Sequence, residues 1–227
     1  MKRLPVLLCT AASMALAAAP AGAAPNIYHT ISSTHGSATV ASTAGCEQTE
    51  VFVSSSVAMY ASQPGPVNKQ GLSAVFVRVT DICAAPAGVV TAAAGGGGTV
   101  LFQAEGQNMA PLVVDPRLGV ASISTDMAGM DGEGNPVTIS LSATWTASGP
   151  LEHDTVHTHS NYPDEGTVNA TDNNLRRAAT ADVSVTVDGM TAAGTDPNAV
   201  LEQVKSRCIE VARPGVEGFF PCFGFPG

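Results

Sequence analysis

Between Val51 and Val187 the chain repeatedly alternates apolar and polar residues, and this two-residue rhythm restricts the fold more than any other feature of the sequence. Successive side chains of an extended chain point to opposite faces, so such a rhythm makes one buried and one wet face per strand. The segment TEVFVSSSVAMYAS (49–62) sets Val51, Val53 and Ser55 on one face and Phe52 on the other. LSAVFVRVTDIC (72–83) sets Val75, Val77 and Val79 against Phe76, Arg78 and Thr80. PVTISLSATWTAS (136–148) carries Val137, Ile139, Leu141, Ala143 and Trp145 between hydroxyl residues, and ATADVSVTVDG (179–189) repeats the pattern with Val183, Val185 and Val187. β-Branched residues at this period favour strand over helix.

Weaker strands are expected at 37–42, 88–93, 99–104 and 118–126. Gly, Pro, Asn, Asp and Ser cluster at 62–71, 131–136 and 146–150, where turns are expected. DGEGNP (131–136) alternates Asp131, Glu133 and Asn135, but Pro136 and Ser142 stand where a calcium loop needs Gly and Glu, so a hairpin turn is the reading. The run of glycines at 95–98 lacks phosphate-loop spacing and reads as a loop. Short strands separated by turns predict an all-β, antiparallel β-sandwich of Ig-like or Greek-key type, in one domain covering 24–190. Trp145, the only tryptophan, is expected in its core.

Residues 1–23 have the layout of a secretory signal peptide. Lys2 and Arg3 precede an apolar run from Leu4 to Ala19, and Ala21, Gly22 and Ala23 offer a cleavage site. Pro20 closes that run short of a membrane span, so no transmembrane anchor is expected in the mature chain. Cleavage would leave Cys46, Cys83, Cys208 and Cys222. An even number of cysteines in a secreted or periplasmic chain reads as disulfides, and the sequence-local pairs Cys46–Cys83 and Cys208–Cys222 are preferred. Loss of Lys2 and Arg3 leaves 8 basic against 19 acidic residues, a net charge of −11. Such a surface repels phosphate backbones, so nucleic acid is excluded as a partner, whereas a protein or cell-envelope partner is compatible.

The remaining segment, 191–227, reads as a C-terminal extension. Asp196 and Pro197 resemble a helix start, and Val200, Leu201, Val204 and Cys208 follow at helical spacing, so a short helix is expected over 196–208. Phe219, Phe220, Phe223 and Phe225 then form an aromatic tail that Cys222 would staple to the core. An alternative role for those rings is docking a partner.

The chemically distinctive stretch is HDTVHTHSNYPDEG (153–166), which holds three of the five histidines. On a strand, His157 and His159 share a face with backbones about 6.6–7 Å apart, close enough for both imidazoles to meet one ion. His153 stands about 13 Å from His157 along an extended chain, beyond that ion. Asp164 or Glu165, folded back across a turn at Asn161–Pro163, is the expected third ligand, and His29 or His35 is another source. The histidine pair with a following acid resembles the first part of a cupin motif, but Leu151 stands in place of its glycine and no histidine follows His159. Residues 161–180 read as a polar loop, with Asp164, Glu165, Asn169, Asp172, Asn173 and Asn174 as calcium-binding oxygens and Arg176 and Arg177 as counter-charges.

Hydrolase signatures of the GxSxG and HExxH types are missing, and no catalytic residue stands out. The expected function is therefore a non-catalytic binding or structural module needing no cofactor. The first alternative is a divalent-metal-binding protein or metalloenzyme at His157 and His159, taking zinc, copper or calcium. The second is a docking module acting through the aromatic tail.

Overall fold

A computed structural model describes residues 27–63, 66–83 and 98–216, and the described chain is all-β. Its strands are β1 (Ile27–Ala44), β2 (Glu47–Gln63), β3 (Asn68–Asp81), β4 (Thr99–Asn108), β5 (Val113–Val114), β6 (Val120–Asp131), β7 (Pro136–Tyr162), β8 (Gly166–Val187) and β9 (Met190–Ala212). They form one antiparallel sheet in the order β4-β3-β2-β1-β9-β8-β7-β6-β5.

The expected two-sheet sandwich is not what the pairings describe. Nearly every strand lies beside its neighbour in sequence, as in a meander, and β4 also pairs with β6. That last pairing joins the two ends of the sheet, so the strands other than β5 run in a ring. Alternation could not distinguish these architectures, because a sandwich and a barrel each give every strand an inner and an outer face.

The inner face is apolar and filled. Val51, Val53, Val75, Val77, Ile139, Leu141, Val183 and Val185 are each 0–4% exposed. Trp145 is fully buried, and its indole Nε1 donates to the Ser37 carbonyl at 3.0 Å. Outward positions on β7 between these residues are Thr138, Ser140, Ser142, Thr144 and Thr146, with Asp182, Ser184 and Thr186 beside them on β8. Transmembrane barrels alternate the other way, with apolar residues outward, so this barrel has the opposite polarity. Among the described residues no helix is long and apolar enough to cross a membrane.

Closure rests on a short seam, Ala104↔Asp131, Glu105↔Met130 and Gly106↔Gly129. Glycine is required there by close approach. A Cβ on Gly129 would fall on the Glu105 carbonyl oxygen and lie 2.8 Å from Ile139 Cδ1. Gly129→Ala should therefore lower the urea unfolding free energy by about 1–3 kcal/mol through overpacking. Gly132→Ala, whose Cβ would meet its nearest neighbour at 3.6 Å, should stay within about 0.5 kcal/mol of the parent.

Residues 196–208 belong to β9 rather than to a helix. This stretch is paired on both edges, with β1 from Ser37↔Val200 to Ile27↔Glu210 and with β8 as far as Gly166↔Ala212. A helix here would strip hydrogen bonds from both flanking strands. The helix-start signature has a different use. The β8–β9 register shifts at Ala179/Ala181, and Pro197 sits in that irregularity, where its missing N–H costs no ladder bond. Asp196 accepts the Asn198 N–H at 2.8 Å, the bond an N-cap would make, and its other oxygen accepts the Thr39 N–H at 2.8 Å.

Candidate functional site

Above the ring, β7, β8, β9, β1 and β2 continue as an open β-wing. The β6–β7 pairing ends at Val120↔Thr146, whereas β7–β8 pairing resumes after a register shift and continues from Leu151↔Arg177 to Tyr162↔Gly166. Most of the stretch 161–180, expected as a polar loop, is thus strand, and only 163–165 form the turn. Its Asn and Asp residues stay exposed or half-buried and have polar partners across the ladder, while Val168 and Ala170 turn inward to a small core of their own. These oxygens are divided between two faces, where a loop could have gathered them on one. Asn169 and Asn173 share one face of β8, and Asp172 and Asn174 take the other.

His153, His157 and His159 lie opposite Leu175, Thr171 and Asn169, on the face that continues the barrel interior. His157 Nδ1 is 3.1 Å from Thr171 Oγ1, and His159 Nδ1 donates to Asn169 Oδ1 at 2.7 Å. Those bonds orient both rings and leave each Nε2 as the nitrogen available to a ligand. Thr155, between the rows, donates to Asn173 Oδ1 at 3.1 Å and lies 3.4 Å from His153 Nε2. Glu152 and Asp154 occupy the opposite face of β7, and Arg176 on that face pairs with Glu202 at 3.3 Å, an exposed bridge of small energetic weight.

Asp164 and Glu165 sit in the exposed β7–β8 turn. They do not join the histidines: among the described residues, the group of His, Cys, Asp and Glu ligand atoms lying within 4.8 Å of one another is Cys46, Asp81 and Cys83. That group is a disulfide with a neighbouring acid. Cys46 and Cys83 are bonded to each other, so neither offers a thiolate, and the Asp81 carboxylate accepts the Cys83 N–H at 2.9 Å. His35 projects from the opposite face to the β7 histidines, where its Nε2 meets Ser54 Oγ at 3.0 Å. His29 pairs through its backbone with Ser62 and Cys208.

The Cys46–Cys83 disulfide fits an oxidising, extracytoplasmic compartment. Cys208 is buried and disulfide-bonded beside Val168 and Ala170 in a small second core that includes Tyr162 and Val216. Cys222 lies outside the described residues, as do Phe219, Phe220, Phe223 and Phe225 and the whole of 1–23. Asp131, in the β6–β7 turn, is held below the ordinary carboxylate range, first by the Asn135 side-chain amide and then by backbone N–H donors of the turn. It uses its oxygens to close the hairpin, through Asn135 Nδ2 at 2.9 Å and the Glu133 and Asn135 N–H groups.

A shallow groove on the outer face crosses the closure seam, lined by Phe52, Phe76, Gly106, Gly129 and Met130. The Arg78 guanidinium covers Phe76 at 5.2 Å, so part of its aromatic surface is already used.

The sequence located the histidine row correctly as a strand but missed the wing around it. The available signal was the alternation of Thr, Asn and His over 155–161 and again over 167–171, on either side of the turn, which has a strand's period without a core's hydrophobicity. No protein-family model, curated protein or solved structure matches the chain.

Proposed function

We propose that the protein is an exported, non-catalytic binding module, in which a filled barrel holds out the β-wing as its contact surface. The observation that supports this most directly is the contrast within β7. Its first half is paired on both edges and buries Ile139, Leu141 and Trp145. In its second half, residues 151–157 are all exposed and pair only with β8 among the described residues. A one-sided strand of this length presents a row of backbone donors and acceptors, the element on which strand addition operates. The barrel interior, by contrast, is packed with the apolar side chains of the described strands, whereas larger or emptier barrels enclose a ligand chamber.

Export is part of the same reading. The amino-terminal signal pattern and the Cys46–Cys83 bond both suit an oxidising compartment. The test is site-specific photocrosslinking in the producing cells. A photoreactive phenylalanine at Val156 should give adducts in the secreted or envelope fraction, and the same group at Ser140, on the barrel wall, should give none. Equal labelling at both positions, or none at Val156, overturns the reading.

A further inference from the structure

The wing leaves two facts unjoined. His157 and His159 are oriented through Nδ1, which leaves Nε2 for a ligand, yet among the described residues no third ligand group joins them, since His35 lies on the other face and Asp164 and Glu165 stay in the turn. Beside them runs the free edge of β7, which ends in its own plane with no strand beyond it among the described residues. A second copy added to that edge would place a second row of histidines next to the first.

Symmetry and sequence narrow how such copies meet. A two-fold axis normal to an antiparallel sheet keeps each face on its own side, so odd residues oppose odd residues. With Val156 on the axis, the pairing runs from Leu151 to Asn161 and excludes both Pro150 and Pro163. Val156 then meets Val156, Glu152 meets Ser160 and Asp154 meets Thr158, so no acid opposes an acid. His153 meets His159, and Thr155 meets His157. Directly opposed residues have Cβ atoms about 4.5–5.5 Å apart, within reach of one ion for two imidazoles. Moving the axis to Thr155 shortens the paired run, and moving it to His157 brings Leu151 against Pro163.

We propose that β7 pairs edge to edge with a second copy of this chain, and that the pairing completes two sites for a divalent transition metal, each built from His157 and His159 of one copy and His153 of the other. The proposal rests on the reading of the wing edge as the contact surface. Three imidazole nitrogens suit zinc, copper or nickel rather than calcium or magnesium, with water in the remaining position. Asn169 and Thr171 act as the outer partners that hold the rings, the usual arrangement for ligating histidines. The second copy thus supplies the ligand that His153 cannot supply within its own chain, because it stands about 13 Å from His157 along the strand.

The experiment is sedimentation velocity on the untagged, oxidised, exported chain, with zinc chloride or with EDTA, and with bound zinc measured on the separated species. The expected result is a dimer with one zinc per chain that weakens at least tenfold in EDTA. His153→Ala should weaken the zinc-dependent dimer at least tenfold. Val156→Lys, which sets two ammonium groups on the axis while sparing every ligand, should leave the chain monomeric at all zinc concentrations. Unchanged circular dichroism in both variants verifies that they fold. Zinc bound at one per chain to a monomer overturns the proposal, because the site is then internal. A dimer indifferent to both substitutions overturns it as well, as does a chain that neither binds zinc nor dimerises. A dimer equally strong in EDTA but lost in Val156→Lys overturns the metal site and leaves the edge as the contact surface. Absence of a Val156 crosslink would instead remove the binding-module reading beneath it.

Discussion

Trp145→Ala should destabilise the protein by about 3–5 kcal/mol, the range for removing a large aromatic from a packed core. For a domain of this size that corresponds to a fall in Tm of roughly 6–20 °C. The indole lies at 0% exposure against Gly36, where an added Cβ would come within 3.1 Å of Trp145 Cε2 and 3.2 Å of Leu201 Cδ2. The backbone of β1 has been brought in to meet the ring, so a small side chain leaves a gap that rigid strands close only in part. A second term adds to the cavity: loss of the Nε1–H leaves the Ser37 carbonyl without that partner. Trp145→Phe should separate the two, keeping most of the volume and losing the hydrogen bond, with a smaller fall. Thermal unfolding by circular dichroism reads both. Since this is the only tryptophan, the parent should also emit at short wavelength and shift to the red on unfolding.

Removing the Cys46–Cys83 bond should cost about 2–4 kcal/mol, measured as the difference in urea unfolding free energy between the oxidised parent and Cys46→Ser/Cys83→Ser. The cysteines are 37 residues apart in sequence, so the bond shortens a long loop in the unfolded chain. In the folded chain it joins the ends of β2 and β3, next to the backbone bond from the Ile82 N–H to the Cys46 carbonyl at 2.8 Å. Because the folded ends already meet, the double variant should keep its native spectrum and lose stability mainly through the unfolded state. Reduction of the parent should reproduce the same loss. A parent isolated from the exported fraction with free thiols at both positions would contradict the compartment as well as the bond.

Much of the barrel was legible from its rhythm. The predicted inner residues from Val51 through Val187 are the ones that fill the ring, and Trp145 sits among them. Three features were misread for a common reason. The 196–208 segment carries a helix-start dipeptide and helical spacing, but β1 and β8 lie on either side of it and claim its backbone. Stretch 161–180 has a loop's composition, but β7 and β9 hold it as strand. The Ig-like sandwich was inferred from strands whose faces are alike in either architecture, and the β4–β6 seam of Gly106 and Gly129 gave no distinctive local pattern. In each case the deciding contacts are backbone pairings with another strand, most of them distant in the chain, which local propensity does not report.

The candidate site divides in the same way. That His157 and His159 share one face followed from their spacing alone. Whether an acid or a third histidine reached them depended on the fold of the turn at 163–165 and on which face of β1 carries His35, and both directed the other groups elsewhere. By itself, then, the sequence determined that most of this chain would be extended and which residues would face inward, and it favoured Cys46 and Cys83 as a pair. The tertiary structure alone decided that the sheet closes on itself and that half of β7 stands outside the closure with one edge unpaired among the described residues. The physical reason is that side-chain alternation is set by the geometry of neighbouring residues, whereas closure and edges are set by which backbone hydrogen-bonding groups find partners across the whole sheet.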